Sequence, residues 1–330
     1  MRIAFELSGE HPTLPRADVL GALEGEGVAL RKVSFTPELL IVDALRPPRR
    51  ALERVSLSRF VDRVLAIGPW SAILRVAARI PLAGETFRVR AHGPFSPAEK
   101  RDLERQVGGA MDPRGRVDLG DPIRDFRLLR HGGAFLLGEA LLEVERSDME
   151  ARKVARRPFS MPISLHPKLA RALVNLSRCP HDGAILDPFC GTGGIAIEAA
   201  RLGMTVFASD LQEKMVKGTA SVLKHYGLKG TTFVADVGEV HRHLRKVKAI
   251  ATDPPYGRAA STRGEPPEDL YRRAFSAFKA LLPIGGYAAV VLPSEEAIRI
   301  GEERLRLEEA HTMRVHQSLT RTFCAFVKVR

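Results

Sequence analysis

The chain has 330 residues, three cysteines and a formal net charge of +12, from 51 basic and 39 acidic residues. This length leaves room for two or three domains, and three widely separated cysteines give neither a disulfide framework nor a zinc site, so no metal is predicted. Since no apolar run nears the roughly 20 residues of a membrane span and no signal peptide is evident, we expect a cytoplasmic protein without membrane contact, whose charge favours a polyanionic partner.

The N-terminal third alternates strand and helix patterns. Residues Met1–Leu7 and Leu39–Val42 have strand patterns, and Pro15–Glu24 has a helical one. A second set follows, with strands at Thr86–Ala91 and Ala134–Leu142 around a helix at Pro97–Val107. These patterns predict two small α+β units, the first ending near residue 57.

Charge is unevenly distributed along the chain. Residues 1–150 contain 23 basic and 22 acidic residues, and residues 151–330 contain 28 and 17. Local clusters still favour contact with a polyanion such as RNA in the first half, although exposed charges often only solvate a helix face. The arginines in question are Arg46, Arg49, Arg50, Arg54, Arg59, Arg63, Arg75, Arg79, Arg88 and Arg90.

A basic segment precedes the C-terminal half. Residues 146–162 are predicted as a linker, in which Arg152, Lys153, Arg156 and Arg157 form either a basic hinge against an RNA backbone or a solvated connection. A helix is predicted to begin at Pro167, since proline is favoured in the first helical position.

Four short apolar strands then each end on a carboxylate, at Asp187, Asp210, Asp236 and Asp253. Parallel strands in open α/β sheets bind ligands at their carboxyl ends, so these groups are expected to line one crevice. A glycine turn, Gly191-Thr192-Gly193-Gly194, follows the first strand and opens a helix, which suits an anionic or nucleotide ligand.

The pattern favours S-adenosylmethionine over NAD, because the chain lacks the full G-x-G-x-x-G sequence and an aspartate precedes the glycines. We assign Asp187 to the methionine pocket, Asp210 to the ribose and Asp236 to the adenine amine. A simpler interpretation, in which each aspartate caps the next helix, explains one or two of them. The predicted cofactor-binding residues are Asp187, Pro188, Cys190, Gly191, Thr192, Gly193, Asp210, Leu211, Asp236, Val237 and Asp253.

The tetrapeptide Asp253-Pro254-Pro255-Tyr256 is the predicted catalytic motif. An exocyclic base amine is conjugated with its ring, so two acceptors for its N–H groups are needed to direct its lone pair. Asp253 offers one acceptor and the Pro254 carbonyl, fixed by the restricted proline backbone, offers the other. Tyr256 can stack on the base. A plain strand-ending turn is the alternative.

These motifs resemble those of class I methyltransferases that modify guanine N2 in structured RNA. Three further segments resemble the archaeal tRNA guanine-N2-methyltransferases that act on guanosine 10: Phe5–His11, Leu165–Leu176 and Val315–Arg321. The resemblance implies a Rossmann-like α/β fold with a seven-stranded sheet, preceded by α+β domains. The implied domains are an N-terminal ferredoxin-like domain (1–57), a THUMP RNA-binding domain (58–145), the linker (146–162) and the methyltransferase domain (163–330).

The resemblance also implies tRNA as partner and, as in related enzymes, a small zinc-binding activator protein. Alternation across Thr320–Val329 predicts a strand, which would be the antiparallel last strand typical of this methyltransferase fold.

Two other functional classes stay open on the residues alone. One is methylation of another amine, such as guanine N2 elsewhere in tRNA, guanine N2 in rRNA or adenine N6 in DNA. The other is a non-catalytic RNA-binding protein that retains the fold, which would not need the intact carboxylates. Oligomeric state and the choice of one or two methyl groups are not predicted.

Overall fold

The computed structural model describes residues 1–45, 49–111, 115–161, 164–255, 265–316 and 319–330. Contacts divide the chain into two compact units, each assembled from separate stretches. Unit 1 comprises Met1–Gly9, Ala29–Arg46 and Ser58–Val144, and unit 2 comprises Glu10–Val28, Pro47–Leu57 and Glu145–Arg330.

The elements follow one another along the chain, and their bounds are these. The first part holds β1 (Arg2–Leu7), α1 (Leu14–Gly25), β2 (Leu30–Thr36), β3 (Leu39–Ala44), α2 (Arg49–Glu53), β4 (Ser58–Gly68), α3 (Trp70–Ala77), β5 (Thr86–His92), α4 (Pro97–Met111), β6 (Arg116–Val117), β7 (Arg124–His131) and β8 (Ala134–Glu143). The second part holds α5 (Arg146–Ala151), α6 (Pro167–Leu176), β9 (Ala184–Asp187), α7 (Gly194–Arg201), β10 (Thr205–Asp210), α8 (Glu213–His225), β11 (Thr231–Val234), β12 (Ala249–Thr252), α9 (Pro267–Leu281), β13 (Tyr287–Leu292), α10 (Glu295–Glu302), β14 (Arg306–His316) and β15 (Leu319–Val327). Short 3-10 helices lie at Val154–Arg156 and Val237–Arg242.

Unit 1 is built on one eight-stranded sheet in the order β2-β3-β1-β4-β8-β7-β5-β6. The strand patterns of the sequence are confirmed here, because β1, β3, β5 and β8 cover the four predicted segments. In β5, buried and partly exposed side chains alternate as expected for a strand with one face on a core. Phe87, Phe126 and Leu137 lie in that core, against α3 and α4.

Unit 2 is built on a seven-stranded sheet in the order β11-β10-β9-β12-β13-β15-β14. The first five of these strands are parallel, and β15 runs antiparallel between β13 and β14. The predicted antiparallel last strand and the predicted α/β fold with a Rossmann-like sheet are confirmed. After β9 the chain continues to β10 and β11 on one side of the sheet, and after β12 it continues to β13 on the other side. The strand order therefore reverses between β9 and β12, and a crevice for a ligand is expected at their carboxyl ends.

The helices α1 and α2 also belong to unit 2, and a buried polar network fastens them to α6. Asp18 on α1 is fully buried and accepts hydrogen bonds from the backbone N–H groups of Ser56 (2.7 Å) and Leu57 (2.8 Å). It also accepts one from Asn175 Nδ2 on α6 (2.6 Å). Arg54 Nε donates to Asn175 Oδ1 at 3.1 Å. The network satisfies groups that would otherwise be costly to bury.

Three arginines that the sequence offered for RNA contact are buried instead. Arg152 pairs with Glu198 on α7 (2.9 Å), and Arg54 pairs with Glu26 (2.7 Å). Arg157 is 6% exposed, and burial lowers its pKa. The prediction of RNA contact is therefore wrong for Arg54, and the basic-hinge interpretation is wrong for Arg152 and Arg157. A guanidinium group that is buried in the protein does not present its N–H groups to an RNA phosphate in solvent.

Among the helices of the described ranges, none combines the length and the low charge that crossing a membrane would require.

Candidate active site

The four predicted carboxylates follow four neighbouring strands of the unit 2 sheet. Asp187 and Asp210 are the last residues of β9 and β10, Asp253 comes directly after β12, and Asp236 stands two residues after β11. These strands are adjacent in the order β11-β10-β9-β12 and all run parallel. The four groups therefore lie along one edge of the sheet, in the spatial order Asp236, Asp210, Asp187 and Asp253.

Asp187 is the most deeply placed of the four, at 3% exposure. Its Oδ1 accepts hydrogen bonds from Thr252 Oγ1 (2.7 Å) and from the Phe189 backbone N–H (3.3 Å). Burial raises the pKa of this carboxyl to about 7, and the negative charges of Asp210 and Asp253 act in the same direction. Its Oδ2 is buried and has no hydrogen-bond partner among the described residues. A cationic ligand group would satisfy that oxygen.

The glycine turn has the backbone that the sequence pattern requires. Gly191 and Gly193 have φ values of +48° and +78°, which favour glycine, and α7 begins at Gly194. Thr219 Oγ1 on α8 donates to the Gly191 carbonyl at 3.0 Å. A Cβ atom on Gly193 would lie 3.1 Å from the Thr219 side chain, whereas one on Gly191 would meet only a backbone oxygen 4.0 Å away. The turn is therefore packed on one side and open at Gly191.

Asp210 braces the same turn. Its Oδ2 accepts from the Gly191 N–H (3.1 Å) and its Oδ1 from the Gln212 N–H (3.0 Å). Burial raises the pKa of this carboxyl. Because both oxygens already accept a backbone hydrogen bond, the carboxylate is held in a fixed orientation, with remaining lone pairs available to ligand hydroxyl groups.

Asp236 has two protein contacts at Oδ1. It caps the short helix that follows by accepting from the Gly238 N–H (2.8 Å), and it forms an ion pair with Arg273 on α9. Arg273 also binds Glu265 (2.6 Å), and these two carboxylates raise its pKa. No sequence signal indicated Arg273, because only the packing of α9 brings it to the sheet edge. The side chain of Val237 lies in the hydrophobic core, so contact with a ligand would come through its backbone.

The catalytic motif begins where β12 ends. Pro254 is buried, and the Pro255 carbonyl accepts a hydrogen bond from Tyr271 Oη on α9 at 3.4 Å. The Asp253 carboxylate lies 3.9 Å from the guanidinium of Arg321 on β15. Tyr256, the predicted stacking residue, lies outside the described residues.

The remaining predicted cofactor-site residues surround the turn. Pro188 and Cys190 are buried, and Leu211 is half-buried. Burial raises the pKa of the Cys190 thiol, which keeps it protonated and unreactive. Thr192 Oγ1 lies 2.7 Å from Ser164 Oγ, a contact that no sequence signal indicated.

These residues fit S-adenosylmethionine. The ligand carries an ammonium group and a sulfonium, which suit an acidic sheet edge with an unsatisfied buried oxygen on Asp187. The fold and this edge together define a class I S-adenosylmethionine-dependent methyltransferase, and the similarity to known methyltransferases confirms the predicted cofactor and enzyme class.

Residues 154–323 match the family model described as "UPF0020: RMKL-like, methyltransferase domain". The chain is 33% identical to the tRNA (guanine(10)-N2)-dimethyltransferase of Methanothermobacter thermautotrophicus over 100% of both chains. It is 32% identical to the tRNA (guanine(6)-N2)-methyltransferase of Thermus thermophilus, over 84% of this chain and 77% of that one. The chain therefore belongs to the RMKL-like methyltransferase family, together with the archaeal relative that it matches over its whole length.

A solved structure agrees with this placement. TrmN from Thermus thermophilus superposes with a TM-score of 0.53 and 25% identity, covering 99% of this chain and 100% of that one. The likeness includes both units of the chain, because it extends over nearly all of its residues.

Proposed function

We propose that this protein transfers a methyl group from S-adenosylmethionine to the exocyclic N2 of guanosine 10 in tRNA, giving N2-methylguanosine and then N2,N2-dimethylguanosine. The observation that carries the proposal is the placement of Asp253 and Pro254 directly after β12, beside the strand that ends on Asp187. The full-length relative named as a tRNA (guanine(10)-N2)-dimethyltransferase supports the choice of base and position.

In this mechanism the chain supplies orientation and charge. Bound S-adenosylmethionine provides an electrophilic methyl group on a positively charged sulfur. Asp253 and the Pro254 carbonyl accept the two N–H groups of the target amine, which directs its lone pair towards that methyl group. The cofactor would leave as a neutral thioether that keeps the electrons of the broken S–C bond, and Asp253 would accept the proton that N2 releases. Proximity and orientation then account for most of the acceleration.

The other predicted site residues have cofactor roles in the proposal. Asp187 binds the ammonium end, Asp210 the ribose hydroxyls and Asp236 the adenine amine, while the turn from Gly191 to Gly193 leaves room for close approach of the ligand. The fixed hydrogen bonds of Asp210 and the unsatisfied oxygen of Asp187 support these assignments. Tyr256 stacks on the target base.

The proposal includes the partners and modules that the family resemblance implies. A ferredoxin-like domain over residues 1–57 and a THUMP domain over 58–145 hold the tRNA, and the net charge of +12 supports a polyanionic substrate. The target guanosine leaves its stack, at a cost of a few kcal/mol. We place the enzyme in the cytoplasm, and a small zinc-binding activator protein is its proposed protein partner.

Guanosine 6 of tRNA is the second candidate target. The relative from Thermus thermophilus, named as a tRNA (guanine(6)-N2)-methyltransferase, favours it with 32% identity over 84% of this chain. The same acceptors would orient the same amine, since only the position in the RNA differs.

One assay separates the candidates. Labelled methyl transfer would be measured on tRNA transcripts in which guanosine 10 or guanosine 6 is replaced by adenosine, with and without the activator. We expect labelled N2-methylguanosine in the unchanged transcript and in the transcript that lacks guanosine 6. The transcript that lacks guanosine 10 should contain no label. Asp253→Asn should slow transfer by about 10²–10³-fold, the scale of losing one preorganised polar group, and should weaken cofactor binding far less, because Asp187, Asp210 and Asp236 still hold the cofactor.

Asp269→Asn is the matched control, because Asp269 is exposed on α9 and should behave as the wild type. Label that depends on guanosine 6 would move the proposal to the second candidate. Transfer that survives in Asp253→Asn at the wild-type rate would refute the catalytic assignment.

A further inference from the structure

Arg321 reaches the catalytic carboxylate from a strand that is distant in sequence. β12 pairs with β13, and β13 pairs with β15 in an antiparallel register that sets Leu292 opposite Thr322. The preceding residue, Arg321, therefore stands at the carboxyl edge of the sheet. Its Nη2 atom lies 3.9 Å from Asp253 Oδ2.

The pair is poorly accessible to water. The side chains of Arg321 and Asp253 are 9% and 16% exposed. At such burial an adjacent cation favours the ionised carboxylate, and the rigid guanidinium plane limits the orientations that the carboxylate can take. A surface ion pair would have little of either effect.

We propose that Arg321 is a positioning residue for methyl transfer, which keeps the Asp253 carboxylate ionised and oriented towards the target amine. This inference rests on the proposed function, because it concerns the group that binds the N2 amine. An ionised oxygen accepts N–H groups more strongly than a protonated carboxyl does. A carboxylate that is already ionised is also ready to receive the proton released after transfer.

Charged and polar groups from neighbouring elements that the structure describes also act on the Asp253 site. Asp187 at the end of β9 adds a second negative charge whose field acts on Asp253 as Asp253 acts on it. From α9, Tyr271 contacts the Pro255 carbonyl and steadies the backbone of the motif. Arg321 on β15 supplies the positive charge. This charge opposes the tendency of two nearby carboxylates to share one proton.

The test compares Arg321→Gln and Arg321→Lys with the wild type in single-turnover methyl transfer, from about pH 5 to about pH 9, with cofactor affinity measured alongside. For Arg321→Gln we expect the acid limb of the rate profile to shift upwards by about one pH unit or more. Its rate should be roughly 10-fold lower at the acid end, and at the alkaline end it should rise towards the wild-type rate but stay below it, because only the orienting contact is then missing. Arg321→Lys should retain the wild-type midpoint, and cofactor affinity should change less than about twofold in both variants.

Arg171→Gln is the matched control, because Arg171 is also a buried arginine. Arg171 lies on α6 and forms an ion pair with Glu198 on α7 at 2.8 Å. It should lower the melting temperature and leave the midpoint of the pH profile unchanged. A loss of rate in Arg321→Gln that is equal at every pH, with the midpoint unmoved, would show a purely structural role and overturn the inference.

A second readout needs no RNA. Carboxyl carbon NMR of the protein, with the Asp253 signal assigned by Asp253→Asn, should show this carboxyl titrating at higher pH in Arg321→Gln than in the wild type. An unchanged titration would also overturn the inference. If the two proteins differ in the NMR titration but the wild type methylates no tRNA, the proposed function is refuted and the effect of Arg321 on Asp253 stands.

Discussion

Thr252 Oγ1 donates a 2.7 Å hydrogen bond to Asp187 Oδ1, so the last residue of β12 holds the carboxylate that ends β9. One of these strands leads into the catalytic motif and the other into the glycine turn. The bond therefore joins the proposed methyl-acceptor site to the proposed methyl-donor site. It also accounts for one of the two hydrogen bonds that stabilise the buried Asp187 carboxylate.

Thr252→Val should weaken cofactor binding. Valine keeps the shape and the β propensity of threonine but removes the donor, which should cost about 1–3 kcal/mol when the partner is a charged group. We expect the dissociation constant for S-adenosylmethionine, measured by calorimetry, to rise about 10-fold. Thr205→Val, at the exposed start of β10, is the control and should bind as the wild type does. Equal affinities in the two variants would contradict the role given to Thr252.

Cofactor affinity should increase with pH up to about 7. Burial raises the pKa of Asp187 from 3.8 to about 7, so in the free protein this carboxyl holds its proton well above the unfolded-state value. An ammonium group binds the ionised form, so binding near neutral pH releases a proton. Titration calorimetry should show the dissociation constant falling from about pH 5.5 and levelling above about pH 7.5. In Asp187→Asn this dependence should be absent, and its persistence there would assign it to another group.

The same pKa has a consequence for the stability of the cofactor-free protein. Because the pKa of Asp187 is higher in the folded protein than in the unfolded chain, this group contributes its full stabilisation at pH values below 3.8. That stabilisation is lost progressively as the pH rises from there to about 7. Asp187→Asn should remove that loss. Urea unfolding at two pH values, about 5 and about 8, should show the free energy of unfolding of the variant, relative to the wild type, increasing with pH. A constant difference would show that Asp187 is already ionised at both pH values.

The strand ends were predictable because their signal is local. An apolar run of four to six residues followed by aspartate fixes both the strand and the position of its carboxylate, as at Thr205–Asp210. The parallel order then follows from general rules for open sheets. The contacts that adjust these carboxylates were not predictable, because Arg273 and Arg321 reach them only through the packing of α9 and the register of β15.

The placement of α1 could not be predicted either. The sequence correctly gave a helix near Pro15–Glu24, but an N-terminal position along the chain does not indicate which compact unit a helix joins. Its buried contacts depend on Asp18 and on Asn175, two polar residues without periodic spacing. For the same reason Arg54 was included among the arginines predicted to contact RNA. Its partner Glu26 follows the end of α1 and is distant from Arg54 in sequence. Burial of a charge is visible only after its partner is placed.

Gly193→Ala should disrupt the cofactor turn more than its strain alone requires. Alanine at φ +78° costs about 1–2 kcal/mol, and its Cβ would lie 3.1 Å from the Thr219 side chain. The matched control is Gly227→Ala, with φ +66° and nothing within 4 Å of the added Cβ. Both variants should lose stability in thermal unfolding, but only Gly193→Ala should lose cofactor affinity, by about 10-fold or more, because the turn must shift. Equal affinities would show that the turn absorbs the methyl group.

Asp18→Asn should destabilise unit 2, because every contact made to this carboxylate is a donor. Ser56, Leu57 and Asn175 supply these donors, and an amide in place of the carboxylate would set an NH2 group against at least one of them. Burial already raises the pKa of Asp18, and its hydrogen bonds oppose that rise. We expect a loss of about 2–4 kcal/mol in the free energy of unfolding by urea. Asp182→Asn, with a side chain that is 84% exposed, is the control and should change it by less than about 0.5 kcal/mol. A small effect of Asp18→Asn would contradict the expected loss. It would mean that Asp18 is protonated in the folded protein, because an amide replaces a neutral carboxyl at little cost. The variant should then also lose the pH dependence of stability that Asp18 contributes.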